Sequence, residues 1–173
     1  IGAGGDLEIS ASQLDNSDVG TVSSQGELVV TVAGRVDNSG QGALISSKGM
    51  QIRAGELDNT RQGVVVATGD LDVQVNGAVD NQAGTLVAGS DLYLDAYALD
   101  NRQGDLSAGQ TLQARLTVQL DNRGGMFSSS DLLDVEADLI DNREQGQIVS
   151  QGDINMLATE LTNTDGVLYA QRK

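Results

Sequence analysis

Seven aspartates, Asp15, Asp37, Asp58, Asp80, Asp100, Asp121 and Asp141, recur at nearly equal intervals, and each is followed directly by an asparagine. The eighth copy keeps the amide and loses the acid, reading Leu161-Thr162-Asn163. Regularly spaced carboxylates invite two chemistries. Hard cations such as calcium take oxygen ligands, and carboxyl pairs about 5 Å apart serve retaining glycoside hydrolysis, wider pairs inversion. The remaining chemical inventory is thin. The chain has no His and no Cys, which removes the usual zinc sites, His-based triads, imidazole shuttles, thiolate chemistry and disulfides. Tyr93, Tyr97, Tyr169 and Phe127 are its aromatic residues. Tyr93 and Tyr97 form the one aromatic spot that spacing places on the surface, where tyrosine favours interfaces, and they are the candidates for a binding patch.

Neither acid chemistry is well served by the spacing. Calcium-binding β-rolls use a nine-residue G-G-x-G-x-D-x repeat that is absent here, and one carboxylate per repeat is a poor cage. An active site is a local break in a pattern, usually on long loops, and these repeats leave no room for loops. The expectation is no metal, no cofactor and no catalysis. Each Asp is expected to bond corner N–H groups and face solvent, with Arg61, Arg102, Arg123 and Arg143 nearby to neutralise the column.

The elements that hold these residues follow from the repeat. The Asn-to-Asn steps are 22, 21, 22, 20, 21, 20 and 21 residues. A Gly comes three or four residues after every Asn, at 20, 42, 63, 84, 104, 125, 146 and 166, and a large apolar residue two further on. Apolar residues recur at i, i+2 and i+4, as in Leu92-x-Leu94-x-Ala96, which is the period of strands and excludes a coiled coil. Gly-rich units of this length, with Asn displaced from the leucine-rich-repeat position, leave a β-solenoid.

In the fifth copy, alternation places Leu92, Leu94, Ala96, Leu99, Asn101, Leu106 and Ala108 inward, with Tyr93, Asp95 and Asp100 outward. Corners fall at Tyr97-Ala98, Arg102-Gln103-Gly104 and Gly109-Gln110, where Gly or Asn supplies φ > 0. The reading is an all-β parallel helix of about eight coils of 20–22 residues with three short strands each. Length changes are absorbed in the corner before the triplet. Stacking at about 4.7–4.9 Å sets like residues above like. Asn16, Asn38, Asn59, Asn81, Asn101, Asn122, Asn142 and Asn163 then form a structural amide ladder of the kind that stabilises stacked strands.

Charge and hydropathy narrow the setting. The 25 Asp+Glu against 10 Lys+Arg give −15, which repels a phosphate backbone and argues against a nucleic-acid partner. The longest apolar run, Val64–Ala67, is far below the roughly 20 residues that span a bilayer, so no transmembrane segment is expected, and no signal-peptide pattern opens the chain.

Runs such as Leu99-Asp100-Asn101-Arg102-Gln103-Gly104-Asp105-Leu106-Ser107-Ala108-Gly109 resemble the repeats of the filamentous haemagglutinin family, the large two-partner-secretion exoproteins of Gram-negative bacteria. The resemblance covers residues 5–170 in eight copies. It implies a right-handed parallel β-helix, exported unfolded through an outer-membrane transporter partner and folded outside the cell, a route that absence of Cys suits. It implies a secreted, cell-surface filament that projects an adhesive element, or a toxin of contact-dependent growth inhibition, toward a target cell. Residues 1–173 are expected to be a single stalk segment excised from a much larger protein. The alternative is that this stretch itself binds a target-cell receptor or surface glycan through Tyr93 and Tyr97.

Overall fold

In the computed structural model, which describes residues 1–171, every regular element is a β-strand and all pairing is parallel. One coil shows the plan. The first leg is Leu28–Val32, the second Arg35–Asp37 and the third Ala43–Ser46. Each leg pairs with its equivalent one repeat later, so Leu28 sits beside Met50, Val36 beside Leu57 and Leu44 beside Val65. The result is a β-solenoid of about eight coils of about 21 residues. No helix occurs among the described residues, and none is long and apolar enough to cross a membrane.

The core is a set of vertical columns. Val36, Leu57, Val79, Leu99, Leu120 and Ile140 line the second leg, and Val22, Leu44, Val65, Leu86, Leu106, Phe127 and Ile148 line the third; all are buried. Each fully enclosed side chain contributes about 1.5–3 kcal/mol. Phe127 is fully buried in an aliphatic column. Its coil carries Ala114 where neighbouring first legs place Val73, Leu94 and Val135.

Three short strands per coil hold only in the first half. From the fifth coil on, the first two legs run as one strand: Leu92–Asp100, Thr111–Asp121, Leu132–Asp141 and Asp153–Thr162. Early coils bend at Gly34, Gly55 and Gly77, whereas later ones carry side chains at this corner and pass through it as an irregularity in the strand. Length changes are absorbed there: Ala96 pairs with Leu116 and Ala98 with Gln119, after which Leu99 again meets Leu120.

The corner after each Asn differs from the sequence expectation. Its left-handed residues are mostly not glycine; they include Val19, Gln41, Arg61, Gln62, Ala83, Gln103 and Glu144. Corners with four residues from Asn to Gly hold two left-handed residues, as at Asp18 and Val19; corners with three hold one, as at Ala83. This corner is therefore a second place where coil length varies. The Gly that follows serves close approach instead: a Cβ on Gly84 would lie 2.0 Å from the Asn59 carbonyl oxygen and 2.6 Å from Asn81 Oδ1.

Candidate functional site

The asparagines of the triplet lie inside the coil corner, fully buried from Asn38 to Asn142. Each Nδ2 donates to Oδ1 of the Asn one coil on, in seven successive bonds of 2.7 Å from Asn16 to Asn163. The same amide also reaches main-chain carbonyls, as Asn101 does to Gly104 at 3.3 Å and Met126 at 3.1 Å. All donors point toward the C-terminal coils, so the amide dipoles run head to tail. Their side chains are consumed by one another and by the main chain, leaving no polar atom turned outward.

The aspartates stand outside this ladder. Oδ1 accepts the N–H two residues on, as Asp58 does from Thr60 at 2.9 Å and Asp100 from Arg102 at 3.1 Å. In the later coils Arg and Asp interleave. Arg102 pairs with Asp100 at 2.6 Å and Asp121 at 3.7 Å; Arg123 pairs with Asp121 at 2.8 Å and Asp141 at 3.6 Å; Arg143 closes on Asp141 at 2.6 Å. The Arg143 hydrogen bond holds the Asp141 carboxyl below its ordinary range, and the Ser17 hydroxyl and N–H do so for Asp15.

Arg61 departs from expectation: it donates to Ser39 Oγ at 2.9 Å rather than to an aspartate. The cation missed in the sequence is Arg35, which bridges Asp37 at 3.2 Å and also Asp58. Asp80 forms no ion pair among the described residues, and burial, then the flanking Asp100 and Asp58 charges, push its carboxyl upward. No group of three or more acidic side chains converges on a point where a metal could sit, among the described residues.

Tyr93 and Tyr97 both face outward on Leu92–Asp100, 41% and 53% exposed. Tyr93 lines a shallow groove of about 500 Å³ across the first legs, with Glu27, Asp70, Asp72, Asp95 and Arg115; Tyr97 lies outside it. The Tyr93 hydroxyl contacts Asp91 Oδ2 at 3.3 Å, and burial together with the Asp91 charge raises its phenol. Of the acids beside Tyr93, Asp95 was placed outward by alternation, whereas Glu27, Asp70, Asp72 and Asp91 escaped the sequence reading, although Asp70 and Asp91 stand one repeat apart. In the sixth coil Ser129 is buried, and its hydroxyl lies 3.0 Å from that of Ser150.

Continuous ladders of side chains on stacked parallel coils define a β-solenoid repeat protein. The chain belongs to the haemagglutinin repeat family, whose model matches residues 1–75, 66–126 and 128–173. That family is one of large secreted, filamentous exoproteins of the cell surface. Neither a curated protein nor a solved structure matches the chain.

Proposed function

We propose that this stretch is a rigid spacer in a bacterial surface filament and carries no catalytic activity. It holds an adhesive or toxin-delivering element away from a Gram-negative cell and toward a target cell, after export through an outer-membrane transporter partner. The observation that carries this reading is the uninterrupted Asn ladder: seven bonds of 2.7 Å link the coils without one excursion of the chain. A spacer needs stiffness along its axis, and in-register columns supply it coil by coil.

The groove beside Tyr93 favours a second reading, in which the segment itself contacts a receptor or glycan, with the tyrosine as an apolar platform and the surrounding carboxylates and amides as acceptors and donors. Flow cytometry of target cells with the labelled 173-residue chain separates the two. The spacer reading expects no binding above a scrambled-sequence control. Saturable binding that Tyr93→Ala abolishes would transfer the role to the groove.

A further inference from the structure

Charge is distributed very unevenly over the three legs. The eight third-leg strands, Thr21–Ser24, Ala43–Ser46, Val64–Ala67, Thr85–Ala88, Asp105–Ala108, Met126–Ser129, Gln147–Ser150 and Val167–Ala170, hold one charged side chain, that of Asp105. At the chain's overall 20% charged residues, strands of this total length would carry about six. The first leg, by contrast, turns Arg53, Asp72, Asp95, Arg115, Asp134 and Glu136 outward, and the second leg carries the aspartate column.

The outer surface of the third leg is in register, apolar through most of the second to fourth coils and mixed with uncharged Ser, Thr and Gln elsewhere. Ala43, Val64 and Thr85 stack in one column, and Ile45, Val66 and Val87 in the next. Ile45 is 39% and Met126 37% exposed. Short strands without bulges in this sheet make the surface flat.

We propose that this face docks a second copy of the chain, sheet against sheet. Two molecules of charge −15 repel one another through the first and second legs, whereas the third legs meet with almost no like charge opposed. A flat, nearly uncharged surface with β-branched columns in its early coils can face its like, as a two-fold interface requires, and sheets so packed lie about 10 Å apart. It presents no charge pattern that would select a partner of opposite sign. Four residues at about 3.3 Å and eight coils at about 4.8 Å give a face of roughly 500 Å² per copy, about 1,000 Å² in total, the lower bound for a specific contact. The association is therefore weak for this many coils and grows in proportion to coil number, which suits lateral bundling of filaments. Asp105 is the one residue that works against it. Its carboxylate is half-buried with Oδ1 unbonded, and pairing would desolvate it further.

Sedimentation equilibrium on the 173-residue chain up to about 1 mM tests the proposal. The expected result is a concentration-dependent dimer that tightens with added salt, as screening reduces the net repulsion, and tightens again in Asp105→Asn. Val66→Glu, in the middle of the face, should weaken it at least about tenfold. Gln51→Glu makes the same charge change on the first leg and should leave it intact. Val87→Glu replaces Val66→Glu if the circular dichroism melt of that variant departs from the parent. A monomer at every concentration overturns the proposal. So does association that survives the third-leg variants or is lost equally in Gln51→Glu, because it then runs through another surface. A monomer that cosediments with phosphatidylcholine vesicles assigns the face to a membrane and overturns it as well.

Discussion

Asn101 accepts from Asn81 and donates to Asn122, both at 2.7 Å and both buried. Asn101→Ala takes the ladder acceptor from Asn81 Nδ2, which keeps only long main-chain bonds, and the donor from Asn122 Oδ1 and the Gly104 and Met126 carbonyls. At about 1–3 kcal/mol for each unpaired buried group, the expected loss is about 2–6 kcal/mol in a urea melt. Asn16→Ala should cost less, since no ladder amide donates to Asn16 and only acceptors lose a partner, Asn38 Oδ1 and the Gly20 and Ala43 carbonyls. That the amides stack was readable from their spacing, because any coil that repeats in register superimposes them. Glycine and its neighbours were less readable. Gly84→Ala forces a methyl against the Asn59 carbonyl and should destabilise by about 3 kcal/mol or more. Val19→Gly should instead stabilise by about 1 kcal/mol, because a β-branched residue at φ 70° bears the left-handed strain that Gly avoids. Thermal melts of the two variants, moving in opposite directions, check this. Sequence periodicity shows where a glycine recurs, and only the distance to the neighbouring coil shows whether the missing Cβ serves φ or proximity.

The aspartate column is an element-scale feature, since its energetics depend on the coil above. Where Arg102, Arg123 and Arg143 interleave, repulsion becomes alternation; at Asp80 it does not. A carboxyl raised in the folded state is stabilised by protonation more in the fold than in the unfolded chain. Its ionised form therefore opposes folding at neutral pH, and that penalty fades as pH falls through the folded value. Asp80→Asn keeps an acceptor for the Gln82 N–H and should raise the melting temperature at pH 7, with the gain vanishing below the ordinary carboxylate range. Asp141 runs the other way. Its depressed carboxyl supports the fold above the ordinary range and ceases to as pH falls through its folded value, so Asp141→Asn should lower the melting temperature at pH 7. Melts of both variants from pH 3 to pH 7, in the range where carboxylates titrate, test the signs together. Outward aspartates were legible from strand alternation. The reach of Arg35 to the next coil was not, nor the diversion of Arg61, because a long side chain chooses among partners set by the coil separation and not by its own strand.

On the scale of the molecule, stability is close to a sum of coil and coil–coil contributions. Removing residues 102–122 joins Asn101 to Arg123, the same junction the chain already makes at Asn101-Arg102 and Asn122-Arg123. The shortened chain should fold with the same β-type circular dichroism and a lower melting temperature, whereas removing residues 102–111, about half a coil, should abolish the cooperative melt by deleting the third leg Asp105–Ala108, so that one coil cannot close and its neighbours lose their pairing partner. A chelator should leave the melting temperature of the parent unchanged; a large fall would mean that cations, not arginines and main-chain N–H groups, steady the acid column. The sequence by itself determined the coil period, the inward columns and the amide ladder, because a repeat that superimposes on itself specifies its own neighbours. Only the tertiary structure decided which corner residues turn left-handed, where two legs fuse into one strand, and that the groove across the first legs takes in Tyr93 and not Tyr97. Those depend on main-chain approach between coils and on the path around each corner, and residue periodicity carries no record of either.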